Sequence, residues 1–249
     1  MPRRLRFVVA YDGTPFAGWQ SQANGNTVQD RLEQAFATIA RQPMRVHGAG
    51  RTDAGVHALA QVAHVDLPSA DIPAWQWIEA ANGALPPTIR VLRCRYVSDK
   101  FHARYSAKGK IYRYRVWNSA VLPPLENGRA WHVQTPLDLM AMVEEAKVLV
   151  GRHNFAAFSA NRGQPESDTH RTINSVRIRR SGACFSFEIS GEGFLYKMVR
   201  LMVGALVRRG RGQSAPGDIR ERLLFPGRFQ KVGRLVAPAA GLYLIRVRY

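Results

Sequence analysis

The sequence predicts a mixed α+β protein, with strands paired into a sheet and helices packed against it. Three observations carry that prediction. Short apolar runs with strand alternation recur along the chain, helix-period stripes with capping signals fall between them, and both halves run strand, helix, strand. No low-complexity linker divides them, and no sequence repeat is visible, so their likeness is one of element order.

Leu5 to Tyr11 reads as a buried strand, followed by the turn-rich stretch Asp12 to Gln20 with Phe16 and Trp19 in it. Thr27 is placed to cap a helix with Asp30 three residues on, and Val28, Leu32, Phe36 and Ile39 share one face of that helix to about Arg41. Strands follow at Met44 to Gly48 and Gln61 to Leu67, then a short helix from Pro73 to Ala81 with Trp75 and Ile78 inward. Pro86-Pro87 stops it, and Thr88 to Val97 alternates as a strand. In Ile111 to Trp117 the alternation puts Tyr112, Tyr114 and Val116 on one face and Arg113 and Arg115 on the other. The Pro- and Gly-bearing segment Asn118 to Ala130 reads as a connection, giving halves 1–117 and 118–249. In the second half Thr135 caps a helix with Pro136 first, Asp138 in its first turn and Met140, Val143, Leu149 and Val150 on its apolar face. Gly151 ends that helix, and Ser159 to Thr172 reads as a mobile polar surface loop. Thr172 to Arg180 and Ala183 to Ser190 form a hairpin through Ser181-Gly182, a helix covers Leu195 to Val207, and Leu242 to Val247 is a closing strand.

Charge narrows the function. With 36 Lys and Arg against 18 Asp and Glu, the 249 residues carry a formal +18. The arginines are spread through strands and helices, which points to a folded basic face for a polyanion, nucleic acid before membrane. Cys94 and Cys184 each lie in an apolar strand-like run, as reduced thiols of a cytosolic protein do. The His-x-Glu signature of zinc deaminases is missing, which removes the best-known zinc chemistry on bases, and without a phosphate loop or a dinucleotide fingerprint a nucleotide cofactor is not indicated. The apolar run after Arg3, Arg4 and Arg6 is too short for a signal peptide or a membrane span.

The stretch Gly48 to His57 concentrates the chemistry, with three glycines, Arg51 and the carboxylate of Asp53 in ten residues. Glycines let a backbone approach a ligand closely, although Asp-Ala-Gly also serves a plain turn. The loop Phe101-His102-Ala103-Arg104 to Lys110 interleaves aromatic and basic residues, and Tyr112 beside it offers a stacking surface for a base if it faces an open cleft. Arg200 interrupts an apolar helix stripe of Met198, Leu201, Met202 and Leu206, so its guanidinium must reach the surface or meet an acid; Asp53 is a fitting partner.

Taken together, these residues resemble the TruA family of tRNA pseudouridine synthases. The resemblance rests on Tyr11-Asp12-Gly13 to Trp19-Gln20 with Thr27-Val28-Gln29, on Gly50 to His57, and on Phe101 to Arg104 with Tyr112-Arg113-Tyr114. Phe194-Leu195, Met198-Val199-Arg200 and Gly241-Leu242-Tyr243 complete it, in order over nearly the whole chain. It implies a mostly antiparallel sheet flanked by helices, in two similar halves around a central basic cleft. It further implies that Asp53 is the nucleophile, that Tyr112 packs on the target base, that Arg200 pairs with Asp53, and that Arg51 takes the space of the flipped-out nucleotide. Phe101, His102, Arg104 and Arg162 are then substrate-binding candidates. The implied substrate is uridine at about positions 38 to 40 of the tRNA anticodon arm, handled by a cytoplasmic homodimer without metal or cofactor. One departure is the loop Asn161 to His170, often more basic and Cys-containing in the family, where Glu166 and Asp168 bring negative charge and Arg162 and Arg171 remain for RNA.

Moving uracil from an N- to a C-glycosidic attachment needs no electron or group carrier. A carboxylate can add to the pyrimidine ring or assist departure from the ribose, and the residues do not choose between these. Two rivals are a non-catalytic RNA-binding protein or chaperone, which leaves Asp53 without a task, and a glycoside hydrolase, which usually wants a second carboxylate that the motifs lack.

Overall fold

The computed structural model describes residues 3–23, 25–68, 72–160, 167–229 and 235–249. Its elements are β1 (Arg3–Tyr11), α1 (Val28–Ala40), β2 (Val46–Gly48), β3 (His57–Leu67), α2 (Gln76–Ala84), β4 (Ile89–Val97), β5 (Gly109–Asn118) and β6 (Trp131–Val133). There follow α3 (Leu139–Lys147), β7 (Gly151–Asn154), β8 (His170–Ser181), β9 (Cys184–Gly191), α4 (Met198–Gly210), α5 (Asp218–Leu224) and β10 (Leu242–Arg248). They form two units, 1–108 with 243–249 and 109–242. β5, which the sequence division assigns to the first half, thus packs within the second unit, while the last strand joins the first because it pairs in parallel with β3.

In the first unit the alternation of β1 decides the layering. Leu5, Phe7 and Val9 are fully buried and Tyr11 nearly so, while the residues between them are half-exposed. β1 pairs antiparallel with β3 on one side and β4 on the other, and β2 adds to β3. α1 covers the apolar side: Phe36 lies 5.0 Å from Phe7, and Trp77 of α2 lies 5.7 Å from Phe36. The expected capping box starts α1, with the Thr27 hydroxyl taking the Asp30 N–H and the Asp30 carboxylate taking the Thr27 N–H. The pairing of β1 with β3 slips between Val9↔Gln61 and Tyr11↔Ala58, so β3 carries an extra residue and bends where it leaves the Asp53 loop.

The second unit is built on β7-β8-β9-β5, antiparallel throughout, with β6 parallel to β5. Tyr112, Tyr114 and Val116 are buried and Arg113 and Arg115 half-exposed, as the alternation of β5 requires. Phe185, Phe187 and Ile189 of β9 share that apolar side. In α4, Leu201, Met202, Val203, Leu206 and Val207 are all at 0% exposure. Gly204 lets the helix touch the chain at Leu235, where a Cβ would stand 1.7 Å from the carbonyl oxygen. The sheet is mixed and mostly antiparallel with helices against it, as expected.

Several local expectations are corrected. Trp75 is 59% exposed and Trp77 is the buried one, because α2 begins only at Gln76 and its inward pair is Trp77 and Ala81. Asp138, not Thr135, caps α3, its side chain accepting the Ala141 N–H at 3.0 Å; Pro136 therefore precedes the helix. That shift turns Met140 outward (66% exposed) and Met142 inward. α4 starts at Met198 after Lys197 adopts a left-handed conformation (φ 59°), so Leu195 lies before it. His170 to Thr172 already belong to β8, and the hairpin turns through Gly182 and Ala183, with Ser181 opposite Cys184. α5 was not anticipated at all. Both cysteines are free and partly exposed, and burial pushes the Cys94 thiol up to about 12.

Candidate active site

Asp53 sits in the turn between β2 and β3, and hydrogen bonds fix the chain on both sides of it. Before it, the Ala49 N–H donates to the Val62 carbonyl at 2.8 Å, and the Gln61 side chain donates to the Gly50 carbonyl at 2.8 Å. The Thr52 carbonyl accepts the Trp19 N–H at 3.0 Å, and the Thr52 hydroxyl meets the Tyr11 hydroxyl at 2.8 Å. After it, the Val56 N–H closes the turn on the Asp53 carbonyl at 3.1 Å, with Gly55 at φ 76°. These bonds hold the turn, and Asp53 is half-exposed on it.

The opening stretch 11–20 is the brace. Gly18 (φ 102°) passes so close that a Cβ would stand 2.8 Å from the Thr52 carbonyl oxygen, and Gly13 crosses against the Val56 carbonyl. Trp19, 2% exposed, fills the space over Gly48. Burial pushes the Tyr11 hydroxyl well above its ordinary range despite its bonds to Thr52 and Gln61, so it stays protonated. His57 Nδ1 accepts the Gly13 N–H at 3.1 Å and its ring stacks on Tyr243 at 4.7 Å. Asp12 Oδ1 approaches the same nitrogen at 3.2 Å. Arg51 is exposed, and its Nε donates to Gln20 Oε1 at 3.1 Å; Gln20 in turn donates to the buried Gln29 of α1 at 2.7 Å.

Phe101, His102 and Arg104 form a second cluster in this unit, centred on His64. The His64 Nδ1 accepts the Ala103 N–H at 3.1 Å, and its ring stacks on His47 at 5.0 Å and meets His102 edge-on at 4.8 Å. Burial first, then the charges of Arg4, His47 and His102, press the His64 imidazole down to about 4, so it anchors the loop as a neutral acceptor. Phe101 packs on Tyr249 at 5.0 Å. Arg104 is exposed beside the 77% exposed Tyr105 ring, its guanidinium 5.7 Å from the centroid.

In the second unit Tyr112 is 8% exposed and holds Phe194 edge-on at 5.0 Å. Gly191 makes that contact possible, since a Cβ there would stand 3.0 Å from the Phe194 ring. Tyr114 is completely buried, its hydroxyl donating to the Pro238 carbonyl at 2.7 Å. Arg200, in the first turn of α4, donates from Nε to the Ala237 carbonyl at 2.7 Å and is half-buried. Arg162 and Glu166 lie outside the described residues. Asp168 is exposed and accepts the His170 N–H at 2.8 Å, which with Arg171 lowers its carboxyl below the usual range. Among the described residues no group of three or more His, Cys, Asp or Glu is placed to hold a metal ion.

A single carboxylate presented on a glycine-rich turn, in a strongly basic α+β chain, is the arrangement for which the comparisons with known proteins supply the class. The family model described as tRNA pseudouridine synthase matches residues 7–106 and 146–249. The chain belongs to that family, and the family is one of isomerases. More particularly, it is similar over its whole length to proteins named tRNA pseudouridine synthase A. That of Akkermansia muciniphila is 43% identical, covering 99% of this chain and 95% of that protein. That of Syntrophotalea carbinolica is 44% identical over 98% and 96%, and that of Afipia carboxidovorans 44% identical over 100% of both. Arg51, Asp53 and Phe101 to Arg104 fall in the first matched stretch and Arg200 in the second, whereas Tyr112 lies between the two.

Proposed function

We propose that this chain converts uridine to pseudouridine at positions 38 to 40 in the anticodon arm of tRNA, with Asp53 as the nucleophile. The observation that carries the reading is the braced Asp53 turn, found in a chain that belongs to the tRNA pseudouridine synthase family. The reaction breaks the bond from ribose C1′ to uracil N1, turns the ring, and joins C1′ to C5. The proton leaving C5 is balanced by one gained at N1, so no oxidant or reductant enters. Asp53 supports either course, adding to the ring or to the sugar and leaving again once the new bond is made.

The other roles follow the family resemblance. Tyr112 packs on the extruded base and offsets part of the cost of unstacking it. Arg200 pairs with the Asp53 carboxylate and orients it. Arg51 takes the place left by the flipped-out nucleotide, and Phe101, His102, Arg104 and Arg162 contact the RNA. The charge of +18 supports a phosphate-driven, salt-sensitive affinity. The same resemblance puts its work in the cytoplasm, as a homodimer; no helix among the described residues is long and apolar enough to cross a membrane. A non-catalytic RNA-binding role gives the braced carboxylate nothing to do.

The test is to incubate unmodified tRNA transcript with the protein and map pseudouridine by position, with Asp53→Asn alongside. Pseudouridine at 38 to 40 with the native chain alone, and tRNA binding by both, is the expected result. Pseudouridine formed equally by Asp53→Asn would overturn the role of the carboxylate, and modification confined to another site would overturn the position.

A further inference from the structure

In the second unit, the face of β5, β9 and β8 turned away from Tyr112 and Tyr114 carries an arginine array that the catalytic reading does not use. Residues opposite one another in an antiparallel sheet share a face, and so do residues two apart on one strand. Arg113 of β5 is opposite Glu188 of β9, which is opposite Arg177 of β8; one row further on, Arg115, Ser186 and Arg179 align in the same way. Trp117, Cys184 and Ser181 make the next row. The array thus sets four arginines around one glutamate. The two arginines of each strand are about 6.7 Å apart along it, and the two strands lie about 9.5 Å apart across β9.

Glu188 pairs with Arg113 at 3.3 Å, and Arg115 is held by Glu126 at 2.9 Å. Arg177 and Arg179 are exposed, and among the described residues no carboxylate forms an ion pair with either. Arg177 and Arg179 stand two apart on β8 and add to the positive surplus of this face, which a bound polyanion neutralises. A second copy docking this face onto itself about a two-fold axis would set arginine on arginine, which removes that occupant. Serines and a tryptophan among the arginines are the residue types that hold phosphates and stack bases.

We propose that this face binds the phosphate backbone of tRNA outside the reacting nucleotide, since Tyr112 points to the opposite side of the same strand. Only the identity of the polyanion rests on the pseudouridine synthase reading. The test is Arg177→Glu/Arg179→Glu in the full chain, with tRNA binding measured over a range of salt and the single-turnover rate measured at saturating enzyme. The pair should weaken binding about tenfold or more near 0.1 M salt and lower the log–log salt slope by about 2, with the saturated rate kept within about twofold. Arg177→Lys/Arg179→Lys should bind nearly as the native chain does. Unchanged affinity and slope would overturn the proposal, as would an equal loss from Arg31→Glu/Arg45→Glu, which changes net charge alike on the other unit. A saturated rate that falls with affinity would place the face at the reacting arm and overturn it too. If the native chain binds tRNA through these arginines yet makes no pseudouridine, the enzymatic reading fails and the surface stands.

Discussion

Breaking the hydroxyl pair Tyr11–Thr52 tests whether Asp53 works because its turn is held rigid. The two oxygens are 2.8 Å apart, and the residues are 4% and 7% exposed, so water cannot replace a lost partner. Thr52→Val keeps the shape of the side chain but leaves the Tyr11 hydroxyl short of one bond, a loss of about 2 kcal/mol. For a chain of this size that lowers Tm by about 4–8 °C. Tyr11→Phe should cost at least as much, because the same hydroxyl also bonds Gln61, which supports Gly50. Removing both partners leaves no orphan between them, so the double variant should fall short of the sum by about 1 kcal/mol. The functional readout is the single-turnover rate of pseudouridine formation at saturating enzyme. A carboxylate free to move by about 1 Å loses on the order of a hundredfold in rate, and the single variants should lose about tenfold or more while tRNA affinity holds. Strictly additive stabilities, or single variants that lose stability but keep the native rate, would refute the idea that this pair positions Asp53.

Gly18→Ala forces a side chain at φ 102° to within 2.8 Å of the Thr52 carbonyl, so the saturated rate should drop more than tRNA affinity; equal kinetics would show that the turn gives way freely. Thr27→Ala removes the α1 cap and should lower Tm by about 2–4 °C, for about 1 kcal/mol, without changing the rate of modification. The pH dependence of stability should carry the mark of His64. Its pKa is near 4 when folded, against a usual 6.5, so only the unfolded chain takes up the proton in between. The contribution is complete above about pH 6.5 and is lost as pH falls towards 4, so His64→Asn, which keeps an acceptor for Ala103, should flatten denaturation midpoints over that range. A variant with the native slope would remove His64 from the account.

Periodic elements were legible because one face of each is buried. β1 and β5 follow the alternation of their apolar residues, β4 keeps it only at Ile89 and Val91 before an irregularity leaves Leu92 exposed, and α1 could be placed to within a residue by its capping box. The misreadings share a cause. Trp77 stands two positions from Trp75 and Asp138 three from Thr135, and the helix phase that selects one of each pair is set by tertiary packing. Trp77 wins because Phe36 is waiting for it, and Asp138 because its N–H is taken by the Gly210 carbonyl at 2.9 Å, which fixes where the chain turns. Lys197 in a left-handed conformation could not be anticipated either, since nothing in a lysine advertises a positive φ.

At the site, the string around Asp53 named the carboxylate, but nothing in it named the residues that hold it. Tyr11, Gly18, Trp19 and Gln61 are 34 or more positions away in the case of the first three, or beyond a strand bulge in the case of Gln61, and three of the contacts they make run to backbone carbonyls and N–H groups of the turn. Such bonds leave no trace in the identity of the residue they reach, since every residue offers the same carbonyl. What does leave a trace is the intolerance of the other partner: Gly18 because no Cβ fits, Trp19 because only a large flat ring covers Gly48. The stretch 11–20, which carries part of the family likeness, owes its composition to a physical cause. Tyr11, Trp19 and the two glycines, Gly13 and Gly18, are spent on the Asp53 turn, so the shape of that turn is decided by residues outside it.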